Sequence, residues 1–237
     1  AAMLYDPYHP SGPSLDLSFF TELPYSLPFA EMSEFEPNGR PDQALPLSTG
    51  QYGAGTLAAS DVDFWVTPGT SVGDLVFAYV DIQDNTGTPI PTAVLEILAN
   101  DVSALASDQN DGPGGGAVVA GVAVPAGQAG NVYYRVSEAA GGDISSYQLY
   151  TTIVDPLDAA DEGEAGTGVN DTTATANPLT QLLTTGSLTS GDVDYFSVVA
   201  TEGSRILVMM DHDPDGDGQL TATSLSWLAP DGSELFP

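Results

Sequence analysis

Asp213 to Ser224, DPDGDGQLTATS, is the stretch whose residue types and spacing come nearest to a defined chemistry. Numbered as a calcium loop, Asp213, Asp215 and Asp217 fall at positions 1, 3 and 5 and Gly218 at the sharp-turn position 6. Gln219 follows at position 7, where a backbone carbonyl ligates. Three carboxylates at alternate positions of a tight turn repel one another unless a hard cation sits between them. Asp211, two residues upstream, is a further candidate ligand. Position 12 is Ser224, so the bidentate glutamate of a full EF-hand loop is missing, and no flanking helices are evident. The alternative is a solvated acidic hairpin turn. A second acidic turn, Ser107–Gly116 with Asp108 and Asp111, reads as a flexible loop.

Catalytic constellations are poorly supported, and the chain reads as a non-enzyme. The two histidines, His9 in a proline-rich arm and His212 beside the acidic loop, have no nucleophile context, and there is no G-x-S-x-G. Cysteine is absent, which excludes disulfides, thiol catalysis and Cys–zinc sites. Carboxylate pairs are everywhere in such an acidic chain, so counting them singles out no glycosidase pair.

Charge narrows the partners. With three arginines, no lysine and 33 acidic residues, the net charge is −30. Phosphate binding needs cations that displace counterions, so nucleic acid is excluded as a partner and an anionic membrane is disfavoured. Such a surface repels itself unless salt screens it or divalent cations neutralise it. A high-salt or calcium-containing extracellular setting supplies either; plain solubility is the alternative. No run of 18 apolar residues spans a membrane. The start Ala-Ala-Met fits the residues after a small-residue signal cleavage site, so a secreted or cell-surface chain is expected.

The elements that must position these groups read as strands. Gly, Pro, Thr, Val, Ser and Tyr dominate, and apolar runs alternate with turn residues. Strands are expected over Asp63–Thr67, Asp74–Asp81, Thr92–Leu98, Gly116–Pro125, Asn131–Glu138 and Ser145–Val154, the first two joined across Pro68-Gly69. Short strands at this spacing predict an all-β fold, an antiparallel β-sandwich. The sequence then repeats itself. Asn38, Ala44 and Leu47 match Asn170, Ala176 and Leu179 at an offset of 132. Leu57, Asp61, Val62, Asp63 and Phe64 match Leu188, Asp192, Val193, Asp194 and Tyr195 at 131. Asp81, Leu95, Leu98, Ala99 and Asp101 match Asp211, Leu225, Leu228, Ala229 and Asp231 at 130. A period this long marks a duplicated domain, not a solenoid repeat. The expected divisions are an arm over 1–33, a first sandwich over 34–156 and a second over 157–237, joined near the acidic, Gly-rich DPLDAADEGEAGTG.

Glu36-Pro37-Asn38, the following Ala44 and Leu47, and G-x-L…DVDFW at 55–65 together resemble the bacterial pre-peptidase C-terminal domain. The likeness covers residues 34–155 and, in part, 164–237. It implies two tandem jelly-roll-like sandwiches of an exported protein. It also implies calcium held by the segment leading into the domain with acidic residues at the D-x-D turn: Glu36, Asn38, Asp61 and Asp63. Read from the residues alone, Asp61 and Asp63 shape a turn by bonding their own backbone while Val62 and Phe64 point into a core. The second copy departs from the pattern, with Gly168-Val169-Asn170 in place of Glu36-Pro37-Asn38.

After Asp101 the first copy runs on for three more expected strands, whereas after Asp231 the second has only GSELFP. An open sandwich exposes apolar faces and unpaired edges. The arm carries a matching excess. In SLDLSFF, Leu15, Leu17 and Phe19 alternate with polar residues as in a half-buried strand, and Phe20 follows. Tyr25–Phe29 is a poorer second candidate. The expectation is a structural subunit of an extracellular filament, polymerising head to tail. The arm of one molecule would complete the second sandwich of the next along Phe196–Val199 and Ile206–Met210, with calcium stabilising the subunits. Accessory domains of a larger secreted hydrolase, serving secretion, stability or substrate attachment, are the alternative, and a calcium-dependent adhesin is a third. Asn170-Asp171-Thr172 is an N-glycosylation sequon, so a glycan at Asn170 is a further expectation.

Overall fold

The computed structural model describes residues 2–5, 14–21, 30–83, 91–109, 112–163, 169–188, 191–200, 206–211 and 224–235. Nearly all of its regular structure is strand. The arm contributes β1 (Ala2–Tyr5) and β2 (Ser14–Thr21). Ten strands follow: β3 (Ala30–Ser33), β4 (Leu45–Pro46), β5 (Gln51–Leu57), β6 (Val62–Thr70), β7 (Leu75–Ile82), β8 (Ala93–Leu98), β9 (Ala104–Gln109), β10 (Ala117–Ala123), β11 (Gly130–Glu138) and β12 (Ile144–Val154). The last six are β13 (Ala160–Asp161), β14 (Asn177–Pro178), β15 (Leu183–Ser187), β16 (Val193–Ser197), β17 (Ile206–Asp211) and β18 (Ser224–Trp227). The chain divides into a central unit, Tyr25–Asp155, and a terminal unit made of Ala1–Pro24 and Pro156–Pro237.

The central unit is a sandwich of two five-stranded sheets, ordered β10-β7-β12-β5-β3 and β4-β6-β11-β8-β9. Alternation builds its core. Val76, Ala78, Val80 and Ile82 of β7 meet Tyr147 and Leu149 of β12, Trp65 of β6, Val132, Tyr134 and Val136 of β11, and Leu95 and Ile97 of β8. Burying each large apolar side chain contributes about 1.5–3 kcal/mol. On the other face of the first sheet, Tyr52, Tyr150 and Tyr79 stand opposite one another on adjacent strands. Their rings stack with centroids 5.5 and 6.4 Å apart. One expected turn is absent: β6 continues through Pro68 and Gly69, and the register against β11 shifts between Gly130 and Asn131.

The terminal unit repeats this plan with four-stranded sheets, β13-β15-β2-β17 and β14-β16-β1-β18. β13 to β18 take the places of β3 to β8, including the parallel pairs at the sheet edges. β1 lies between β16 and β18 as β11 lies between β6 and β8, and β2 lies between β15 and β17 as β12 lies between β5 and β7. The registers agree residue by residue. Leu15 faces Gly186 as Tyr147 faces Gly55. Leu17 faces Met210 as Leu149 faces Val80, and Met3 faces Tyr195 as Arg135 faces Phe64. The arm therefore supplies the counterparts of the central unit's last two strands. β9 and β10 have no counterpart among the described residues.

This corrects the expected source of the covering strands. In this structure the chain's own first residues fill those places in the terminal unit. Leu15, Leu17, Phe19 and Phe20 all lie in β2, between β15 and β17, and Ile206–Met210 receives them. Phe196 instead pairs with Ala2 of β1, a strand too short to stand out in the sequence. The division falls at Pro24, not residue 33, because β3 pairs in parallel with β5 of the central unit. Tyr25–Phe29 lies outside the described residues.

Candidate metal centre

At one corner of the central unit, the segment after β3 crosses the turn that leads into β6. The carboxylates of Glu36, Asp61 and Asp63 each bring a ligand atom within 4.8 Å of the others, the one such cluster among the described residues. Backbone geometry fixes them. The Asp61 carboxylate accepts from the N–H of Val62 at 2.9 Å, which shapes the turn. The Glu36 carboxylate accepts from the N–H of Asn38 at 2.9 Å, and the Asn38 carbonyl accepts from the N–H of Phe64 at 2.9 Å, tying the incoming segment to β6.

Three groups at this corner leave polar atoms buried without a partner among the described residues. Asn38 is fully buried, and neither its amide oxygen nor its amide nitrogen has a hydrogen-bond partner among the described residues. Asp63 is fully buried too; its Oδ2 accepts from the Tyr147 hydroxyl at 2.5 Å, while Oδ1 has no partner. The Tyr147 hydroxyl in turn accepts from Trp65 Nε1 at 2.9 Å. Glu34, absent from the sequence reading, is the third. Its Oε1 accepts from the N–H and hydroxyl of Thr56, both at 2.8 Å, and its Oε2 is buried without a hydrogen-bond donor. Each such orphan costs about 1–3 kcal/mol. Burial, then the adjoining Glu34 carboxylate, outweigh the Tyr147 hydroxyl and push the Asp63 carboxyl up to about 8. Burial and the Asp63 charge also raise the Tyr147 phenol.

A hard cation would satisfy the orphaned oxygens of this corner, leaving the Asn38 amide nitrogen still to find an acceptor. The donors are oxygen only, from four carboxylates and one amide, the set that suits calcium and not zinc or copper. The residues fit the metal that the sequence resemblance implies. Glu36, Asp61, Asp63 and the side-chain amide oxygen of Asn38 would hold it, with Glu34 beside Asp63. Gly55 keeps the corner open: a Cβ there would lie 2.5 Å from Glu34 Oε2 and from the Tyr147 hydroxyl.

The terminal unit repeats the backbone of this corner, but its carboxylates form no comparable cluster among the described residues. Asn170, Asp192 and Asp194 are buried, and Glu162 nearly so. Asp192 accepts from the N–H of Val193 at 3.1 Å, and the Asn170 carbonyl accepts from the N–H of Tyr195 at 2.9 Å. The Glu162 carboxylate accepts from the N–H of Ser187 at 2.5 Å, and a Cβ on Gly186 would lie 2.5 Å from it. Glu162 thus stands where Glu34 stands. It escapes sequence alignment because the offset is 128 there and 132 at Asn170, four residues having been inserted between them. Two donors are lost by residue type: Gly168 replaces Glu36, and Leu15 takes the register position of Tyr147.

The other candidates fare differently. Asn170 has no exposed surface, which corrects the expectation of a glycan there, since a glycosylated asparagine must reach solvent. Asp213, Asp215, Asp217 and Gln219 lie outside the described residues. Asp211 ends β17 opposite Asp16 of β2. No described helix is long and apolar enough to cross a membrane.

No family model and no curated relative matches the chain. Solved structures do. The pre-peptidase C-terminal domain of collagenase from Bacillus anthracis is 18% identical with a TM-score of 0.36, over 48% of this chain and 100% of that one. PliG from Aeromonas hydrophila, a periplasmic inhibitor of g-type lysozyme, is 14% identical with a TM-score of 0.34, over 52% of this chain and 99% of that one. The Yersinia pseudotuberculosis-derived mitogen is 14% identical with a TM-score of 0.31, over 44% and 85%. The all-β assignment itself rests on the strand pairing described above.

Proposed function

We propose that the chain is a non-catalytic structural subunit of an extracellular assembly, made of two β-sandwiches, the central one stiffened by calcium at its acidic corner. The observation that carries this reading is the oxygen-lined corner around the fully buried, partnerless amide of Asn38. Calcium at the corner would bind the incoming segment to the D-x-D turn and so fix how the chain enters the sandwich. Extracellular modules with dissociation constants near 10⁻⁴–10⁻³ M are filled at the calcium levels outside cells. The net charge of −30 suits the same setting, because divalent cations also relieve its self-repulsion. A second reading, accessory domains that attach a secreted hydrolase to its substrate, is favoured by the half-exposed Tyr52 and Tyr150 stacked on the outer face of the central unit.

Thermal unfolding with calcium, magnesium or chelator tests the proposal. Calcium at a hundred times its dissociation constant is expected to add about 2.7 kcal/mol, and Asn38→Ala to remove most of that gain. A melting temperature indifferent to calcium would overturn the reading.

A further inference from the structure

We infer that the outer face of the sheet β10-β7-β12-β5-β3 docks an extended, cationic segment of another protein, with arginine or lysine at alternate positions. The inference rests on the reading of this face as an attachment surface and not on calcium at the corner. One row of residues in register crosses all five strands: Glu31, Tyr52, Tyr150, Tyr79 and Val118. At its centre the three tyrosine rings lie 5.5 and 6.4 Å apart, with interplanar angles of 27° and 16°. Rings so spaced are offset, which leaves part of each face uncovered. Tyr52 and Tyr150 are half-exposed, and Tyr79 is nearly buried. The sandwich itself does not demand this row. At the equivalent registers the terminal unit carries Leu183, Ser18 and Met209.

Hydrogen-bond donors decide what can bind. A phenol has one proton to donate. Tyr52 gives its proton to Glu31 at 2.9 Å, Tyr150 to Gln148 at 2.5 Å and Tyr79 to Asp81 at 3.3 Å. The row therefore offers ring face, phenol lone pairs and the carboxylates of Glu31 and Asp81, all of which attract donors and cations. Bonds from the Ser33 hydroxyl and then the Tyr52 hydroxyl hold the Glu31 carboxyl below its ordinary range, so it stays charged. Among the described residues no cation answers these groups. Lysine is absent, Arg40 pairs with Asp42, Arg135 pairs with Glu96 on the other sheet, and Arg205 lies outside the described residues. The net charge of −30 repels a second copy and any polyanion, and draws a basic partner. An extended chain laid along the row sets alternate side chains roughly 6.5–7 Å apart. That spacing is close to the ring separations of 5.5 and 6.4 Å, so cations two residues apart meet successive rings. Arginine suits the row best, because its guanidinium both stacks on an aromatic face and forks onto a carboxylate.

Fluorescence anisotropy of a labelled, alternating Arg-Ser octapeptide, titrated with the full chain at fixed calcium and physiological salt, provides the test. A Gln-Ser octapeptide is the neutral control. The arginine peptide is expected to bind and the glutamine peptide to fail. Tyr52→Ala and Tyr150→Ala change no charge, and each is expected to weaken binding roughly five- to thirty-fold. Glu31→Gln should weaken it too, whereas Asp158→Asn, which removes one exposed charge from the terminal unit, should not. Nitration of Tyr52 and Tyr150 by tetranitromethane, read by peptide mass spectrometry in the unsubstituted protein, is expected to slow when the arginine peptide is bound; this arm needs no variant to fold. Tyrosine variants that bind as well as their parent, equal losses from Glu31→Gln and Asp158→Asn, or nitration indifferent to the peptide would overturn the inference in favour of diffuse attraction to an acidic chain. Binding of cellohexaose in place of the peptide, lost in the same tyrosine variants, would overturn it too but leave the attachment reading standing; binding of neither ligand would remove both.

Discussion

Replacing Asp63 by asparagine removes one negative charge from the most crowded point of the central corner and keeps the side chain's size. In the calcium-free protein, burial and the neighbouring Glu34 carboxylate raise the Asp63 carboxyl from its ordinary 3.8 to about 8. A group whose folded value is raised favours the folded state when protonated. Its contribution is therefore fully present below about pH 4 and is lost as the pH climbs to about 8. Roughly four units at about 1.4 kcal/mol each set a ceiling on the order of 5 kcal/mol between the two limits. The calcium-free central unit should weaken from pH 5 to pH 8.5, and Asp63→Asn should flatten that slope. At pH 8.5 in chelator the variant is expected to unfold on the order of 10 °C above its parent. Calcium should then do little for the variant, because a ligand has gone. Trp65, fully buried in this unit, reports the transition in a Trp227→Phe background. A variant less stable than its parent at pH 8.5 in chelator, or one as responsive to calcium, would refute the reasoning.

Gly55→Ala places a methyl 2.5 Å from both Glu34 Oε2 and the Tyr147 hydroxyl, so it should cost about 1–3 kcal/mol and weaken calcium binding, both measured by chemical unfolding at fixed calcium. Val102→Gly should raise the urea midpoint of the central unit by about 1 kcal/mol equivalent with an unchanged m-value: Val102 sits at φ 67° in a turn where the terminal unit uses Gly232 at φ 85°.

Much of this was legible in the sequence, for reasons particular residues make plain. β11 was visible because Val132, Tyr134 and Val136 alternate into the core, and β7 because Leu75–Val80 is an unbroken apolar run flanked by Asp74 and Asp81. Glu36, Asn38, Asp61 and Asp63 were named through a resemblance and do meet in space. Glu34 was not, because nothing in EMSEFE distinguishes one glutamate from the next; its role depends on Thr56 and Gly55, about twenty residues away in a paired strand. Pro68-Gly69 read as a turn but lies within β6, where Gly69, at φ 83°, is the extra residue of a bulge opposite Gly130 and Asn131. The strand β1 was invisible because four residues carry no periodicity. The arm's amphipathic β2 was visible, but sequence alone said only that it needed a partner, not which molecule provides it.

The two units differ in how the corner relates to the strand that closes the sandwich. In the central unit β12 belongs to both, because Tyr147 joins Trp65 in the core to the Asp63 carboxylate. A cation there would tighten a ladder that already lies within one continuous stretch of chain. In the terminal unit the equivalent strand is β2, and its residue at that register is Leu15, which has no hydroxyl to offer. The acidic corner formed by Glu162, Asn170, Asp192 and Asp194 draws instead on β13–β16 and their connections, all downstream of residue 156. β1 and β2 are thus held in the terminal unit by backbone pairing, while the buried carboxylates belong to the rest of that unit.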